Sequence, residues 1–284
     1  MSILISSHAF IHAAALAFFT IFSMAPIIII AVTFLGIWLG PDAAQGLLFD
    51  QLESVVGAKA ATFVQTAVVN SQLDRQGFLP TILGISLIVI GATTVFAQLK
   101  NSLNSIWSVA AKPSKSTVLR YIKTRIISLT LVLSIGFILL ASMLLSVLVK
   151  IVIIYAQSWL PISDLVLISL EFCVSFVVTG ALFCLIFTFL PDVKLGWQKV
   201  VIGGVITSLL FSVGRYGIGF YLAHTATSST YGAAGSLVIL LMWVNYSALI
   251  LLFGAAITRA QLEYSGEVVV PSRSGVVVEK HFID

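Results

Sequence analysis

Apolar residues in this chain come in runs far longer than one buried face of a water-soluble helix requires. Six stand out, at about residues 13–39, 78–97, 126–155, 165–190, 197–222 and 232–258. Each is long enough, at about 1.5 Å per residue, to cross a hydrocarbon layer of roughly 30 Å as an α-helix. Between the first run and the second the pattern changes. Leu48, Leu52, Val55, Val56, Phe63, Ala67 and Val68 recur at helical spacing, with Asp50, Glu53, Lys59 and Gln65 among them. Residues 42–77 therefore read as two short amphipathic helices parted near Gly57, lying on the membrane surface or capping the bundle. Gly40-Pro41 closes the first run, Pro80 suits a first helical turn, and Pro191-Asp192 ends the fourth run. The predicted fold is all-α: a polytopic membrane protein with a bundle of six transmembrane helices and an outer amphipathic helical segment. The membrane domain covers residues 1–260, and residues 261–284 form a cytoplasmic tail. The tail is polar and rich in valine and is expected to be poorly ordered.

Composition agrees with lipid as the solvent. The 284 residues are 59% hydrophobic and 9% charged, with a mean hydropathy of +1.11. Soluble domains carry about 25% charged residues. The N-terminus lacks a basic stretch and the first apolar run is too long for a cleavable signal. Cys173 and Cys184 share one apolar run about 16 Å apart on a helix, too far to bond, and read as small buried apolar residues. Ala9, Ala13 and Ala17 form a small-residue stripe for close helix packing.

The charge distribution orients the bundle. The stretch from Lys100 to Arg125 carries Lys100, Lys112, Lys115, Arg120, Lys123 and Arg125 and no acid. A basic loop between apolar runs is retained in the cytoplasm. Six spans then put both termini there. On that side also fall Lys194, Lys199, Arg259, Arg273 and Lys280; outside fall Lys59, Arg75 and Lys150. This accounts for the pI of about 9.1 without nucleic acid. The six basic residues of the loop could also contact anionic lipid headgroups, at about 1 kcal/mol each near the surface. The loop has few aromatics on which bases could stack, which argues against RNA.

Charge within a span costs about 2.5–3.5 kcal/mol at the membrane centre. Glu171 in span four and Arg215 in span five each lie about seven residues below the outer end, roughly 10 Å deep. They are expected to pair or to face a common cavity. Two readings stand: a buried ion pair that sets helix register, or a substrate-binding site for an anionic headgroup or a proton-coupled carboxylate. Pro26 should kink the first helix. Asn245 and Ser247 in span six read as interhelical hydrogen-bonding groups, and the glycines around Arg215 as close helix contacts.

Catalytic chemistry has little to stand on. His8, His12, His224 and His281 form neither H-x-H-x-D nor H-E-x-x-H, and the acids of the inner side are scattered. No Gly-rich phosphate loop is present. No catalytic residue, metal ligand or cofactor is predicted, and the expected partners are membrane lipids, with self-association left open and nucleic acid excluded.

Three stretches resemble the YihY/BrkB family of bacterial inner-membrane proteins, formerly labelled ribonuclease BN. Ala13 to Pro26, AAALAFFTIFSMAP, is similar to the family's opening AxSLAYYTLLSLFP. Leu103 to Val109, LNSIWSV, resembles LNRIWGV, and Tyr231 to Gly235, with Trp243 and Phe253 to Ala256, resembles the family's last span. Phe189-Leu190-Pro191 matches the end of its fourth. Ala256 stands where the family often has Glu and Ser105 where it often has Arg, so any role of those charges does not transfer. The resemblance implies six spans and an inner-membrane location. Activities proposed for the family include lipid movement across the inner membrane and cation/proton exchange. The expected function is translocation of a lipid or other amphiphilic anionic substrate. The alternatives are a cation/proton exchanger using Glu171, or an envelope-organising protein without transport.

Overall fold

The computed structural model describes residues 2–56, 58–71, 78–112, 164–225, 232–272 and 275–278. The elements in order are α1 (Ser2–Ser6), α2 (Ala9–Leu39), α3 (Pro41–Val56), α4 (Ala58–Ser71), α5 (Phe78–Ile106) and β1 (Val109–Ala111). Then come α6 (Asp164–Phe189), β2 (Val193–Lys194), α7 (Trp197–Thr225), α8 (Gly232–Tyr264), β3 (Val270–Pro271) and β4 (Gly275–Val277). The chain is thus mostly helical. Four stretches among the described residues are long and apolar enough to cross a membrane: Ala9–Thr33, Phe172–Phe189, Trp197–Gly217 and Leu237–Tyr264. They match the first, fourth, fifth and sixth predicted spans. The second falls on the 29-residue helix α5, which is not one of the four, and the third, at 126–155, lies outside the described residues.

Helix α8 is the shared element. On one side it packs against α2, which packs in turn against α5; on the other it packs against α7, which packs against α6. Close approach explains both contacts. On α2, Ala9, Ala13, Leu16 and Ala17 recur at helical spacing and are almost fully buried, the arrangement that small residues permit between membrane helices. Between α7 and α8 the fit is reciprocal. A Cβ on Gly203 would collide with Thr258 Oγ1, and one on Gly254 would collide with Thr207 Oγ1. Each threonine hydroxyl donates back to the carbonyl of the glycine four residues earlier on its own helix, Thr207 to Gly203 at 2.6 Å and Thr258 to Gly254 at 2.9 Å. Gly204 meets Cys184 of α6, and Gly214 meets the ring of Tyr246 on α8.

Helices α3 and α4 form a hairpin beside α2 and α8. Its buried Phe49, Val64 and Val68 share one apolar cluster with Leu240 and Trp243 of α8, lined by Met24, Ile28 and Ile29 of α2. Leu240 and Trp243 belong to the apolar stretch Leu237–Tyr264, so the hairpin descends past the rim of the bundle instead of lying across it. Asp42, Asp50 and Glu53 of α3 are exposed.

Helix α5 runs past the apolar span through the polar stretch to Ile106, and its last turns carry Lys100 and Asn104 into contacts described below. Two further expectations change. Cys173 is exposed and Cys184 half-buried, where both were expected to be buried. Asn245 Oδ1 and Ser247 Oγ are buried with no hydrogen-bond partner among the described residues, where interhelical bonds were expected.

The described residues beyond α8, 265–272 and 275–278, are held by hydrogen bonds rather than loose. Gly266, at φ 71°, stops the helix; its N–H donates to Glu263 O at 3.0 Å and that of Glu267 to Leu262 O at 3.2 Å. This is the Schellman arrangement, which favours glycine at the left-handed position. The chain then pairs antiparallel, β3 with β2 and β4 with β1.

Candidate functional site

The N-terminal ends of α2 and α7 and the C-terminal ends of α5, α6 and α8 gather at one end of the molecule, here called the terminal end. Its centre is Asp192, which follows Pro191 in the short connection between α6 and α7 and is 4% exposed. One carboxylate oxygen accepts from Lys100 Nζ at 3.0 Å and the other from Asn104 Nδ2 at 3.0 Å. The backbone N–H of Asp192 donates to Asn104 Oδ1 at 2.8 Å. Lys100 and Asn104 stand one turn apart on α5, so a single face of that helix grips the α6–α7 connection. A second grip lies alongside. Arg259 of α8 donates to Ile106 O at 2.5 Å and to Ser108 Oγ at 2.8 Å, closing the C-terminus of α5 with a cation where the helix dipole favours one. Ser102 Oγ lies 3.3 Å from His12 Nδ1, and Ser105 Oγ donates to Ser7 O at 3.2 Å, which ties α5 to α1 and α2.

Beside this network is a cleft of about 320 Å³, lined by Asn101, Asn104, Ser105, Ser108 and Val278 among others. Its lining offers amides and hydroxyls and no charge. Among the described residues, no three of His, Cys, Asp and Glu come together as a metal site.

Of the sequence-predicted residues, Lys100 pairs with Asp192 at 3.0 Å. Lys112 is exposed just beyond β1, and Lys115, Arg120, Lys123 and Arg125 lie outside the described residues. Pro26 is inside α2, where a Cβ at Gly91 of α5 would lie 2.8 Å from its Cγ. Arg215 is exposed on α7. Gly214 facing Tyr246 turns Arg215 away from α8. Glu171 is on α6, with its side chain outside what is described. Glu171 precedes Phe189 by eighteen residues, and Arg215 follows Trp197 by eighteen. On antiparallel neighbours about 27 Å from their connection, the two backbones stand at one level.

Residues 4–273 match the family profile described as Virulence factor BrkB. This chain belongs to that family. Among curated relatives, a UPF0761 membrane protein of Teredinibacter turnerae is 26% identical over 262 residues, covering 89% of this chain and 57% of the relative. Another, from Rhodospirillum centenum, is 29% identical over 266 residues, covering 91% and 55%. A third, from Mannheimia succiniciproducens, is 25% identical and is covered to 82%. The chain spans a little over half the length of the first curated relatives it matches. No solved structure matches it.

In this BrkB-family protein the two departures noted in the sequence are accommodated locally. Ala256 is buried in the core at the terminal end, and Ser105 bonds to Ser7. Asp192 and Asn104 were not predicted as a site. The available signal was that Lys100, in a segment free of acids, needed a partner from elsewhere, and Asp192 ends an apolar run.

Proposed function

We propose that this protein moves an anionic amphiphile, a lipid in the first instance, across the bacterial inner membrane. Six spans would place both termini and the terminal end in the cytoplasm. The observation that carries the proposal is Arg215, an exposed guanidinium on the apolar stretch Trp197–Gly217. Among the described residues it has no counterion, and a charge so placed costs a few kcal/mol, which an anionic headgroup would offset. Glu171 at the same level gives the cation a neighbour to exchange against as substrate arrives. The packing supports the reading: α2 with α5 and α6 with α7 form two pairs about α8, and the polar tie between α5 and α6–α7 lies at the terminal end. Such pairs can part at the opposite end. No covalent chemistry is assigned to the protein.

The test is reconstitution in vesicles of phosphatidylethanolamine and phosphatidylglycerol carrying a fluorescent phosphatidylglycerol, with outer-leaflet quenching as readout. The protein should accelerate crossing. Arg215→Gln should slow it about tenfold and Arg215→Lys much less. A wild-type rate equal to that of protein-free vesicles would reject the reading.

A second reading, cation/proton exchange, is favoured by exposed Asp42, Asp50 and Glu53 along the hairpin. In that case a pH-sensitive dye inside the same vesicles would respond to an added cation gradient, and Asp50→Asn would blunt the response.

A further inference from the structure

The segment after α8 connects the same two elements that Asp192 connects. Glu267 pairs with Lys199 on the first turn of α7 at 2.6 Å. Val270 and Pro271 pair with Lys194 and Val193 in the α6–α7 connection. Gly275 to Val277 then pair with Ala111 to Val109 at the exit of α5, and the Val278 N–H donates to Ser108 O at 2.9 Å. Between the two ladders the Ser272 N–H donates to the backbone carbonyl of Asp192 at 2.9 Å. Asp192 thus holds α5 through its carboxylate and the chain after α8 through its carbonyl. The fit is tight. A Cβ at Gly275 would lie 2.7 Å from Asp192 O and 2.8 Å from Val109 Cγ1. Beneath, Val269 packs on a cluster of Trp107, Val109 and Val193, in which Trp107 is 1% exposed.

We infer that residues 267–272 and 275–278 are a clasp that holds α5 to the α6–α7 connection, and that it must leave Asp192 before the terminal end can open. The inference rests on the translocation reading. The energetics favour a releasable device. Two ladders of two and three residue pairs and one salt bridge to a half-exposed Glu267 make a small contact area. Short two-stranded pairings are marginal alone, and the ion pair, though the Lys199 ammonium is buried, has a carboxylate open to water, which limits its contribution. The membrane helices can therefore stay folded when the clasp is off, since units of low local stability open before the whole. Its release would expose the Asp192–Lys100 pair to water, which weakens that tie in turn.

The register supplies a lock. Ser108 and Val278 face each other as a hydrogen-bonded pair, so Val109 and Val277 next to them form a non-hydrogen-bonded pair. Such pairs stand about 4.5 Å apart between Cα atoms, within the range a disulfide spans. Val109→Cys with Val277→Cys, in a background with Cys173→Ala and Cys184→Ala, should close under mild oxidation. The vesicles are those described above. The oxidised protein should translocate fluorescent phosphatidylglycerol at least tenfold more slowly than the same protein after reduction. Equal rates, with closure verified by loss of free thiols, would overturn the clasp. Hydrogen exchange is the second measurement and needs no transport. In the reduced protein the amides of Ser272 and Val278 should exchange together and at least tenfold faster than those in the middle of α8, and oxidation should slow both. Exchange as slow as that of mid-α8 would overturn the clasp as well. If the reduced protein moves no lipid while exchange behaves as expected, the translocation reading fails and the clasp stands as a structural opening.

Discussion

Asp192 shows how much one short side chain can hold when its surroundings exclude water. Its carboxylate is 6% exposed and Lys100 is 19% exposed, so the pair is better shielded than a surface ion pair but remains at the edge of the fold. Removing one partner of such a pair leaves the other's charge and hydrogen bonds uncompensated, which costs more than the pair contributes when intact. The two halves of the pair are not equivalent. Asp192→Ala strips Lys100 and Asn104 of their acceptor, whereas Lys100→Ala leaves the carboxylate bonded to Asn104. Asp192→Ala should destabilise the protein by about 3 kcal/mol, and Lys100→Ala by about half of that or less. The midpoints of thermal unfolding in detergent measure both. Equal losses from the two variants would mean that the bond from Asn104 Nδ2 to the carboxylate carries nothing. The residue scale is also where sequence reading succeeded least. Lys100 was legible as a cation at the membrane edge, but its partner is ninety-two positions away and no local pattern points to it.

Among the elements, the crossing of α7 and α8 depends chiefly on space, beside a long bond from Tyr246 Oη to Leu210 O at 3.4 Å. Gly203 accommodates Thr258, and Gly254 accommodates Thr207. Adding a methyl to Gly203 forces Thr258 off its rotamer, breaks its bond to Gly254 O or separates the helices; overpacking of this kind costs about 1–3 kcal/mol. Truncating the threonine should restore the space. Gly203→Ala alone should therefore lower stability in detergent by that amount, and Gly203→Ala with Thr258→Ala should recover at least half of the loss. A double-mutant cycle returning no coupling would place the methyl somewhere other than against Thr258. The long helices themselves were legible, since an apolar run of twenty or more residues has few soluble alternatives. The predicted starts of α6, α7 and α8 fall within one residue of those observed. The division of this segment into two helices, Pro41–Val56 and Ala58–Ser71, was legible from the spacing, but the descent of the hairpin was not. An amphipathic pattern says which face is buried, not which helix buries it. The four short strands left no periodic signal, because two or three residues are too few to alternate visibly.

For the molecule as a whole, the arrangement of charge makes its orientation a measurable matter. The terminal end carries Lys100, Lys112, Lys194, Lys199 and Arg259, together with Asp192, Glu263 and Glu267, which pair with three of these cations. The hairpin exposes Asp42, Asp50 and Glu53. A cationic excess is retained on the cytoplasmic side during insertion, while acids contribute little to orientation. The terminal end should therefore be inside and the mouth of the hairpin outside. With Cys173 and Cys184 replaced by alanine, Asp42→Cys at the start of α3 and Ser265→Cys just beyond α8 supply one reporter for each end, and both positions are exposed. A membrane-impermeant maleimide should label Asp42→Cys in intact spheroplasts and leave Ser265→Cys untouched until the membrane is permeabilised. Labelling in the reverse order would put the clasp and Asp192 in the periplasm. It would remove the electrostatic basis for the proposed six-span topology, because the cations of the terminal end would then have crossed the membrane against the bias that holds such residues back.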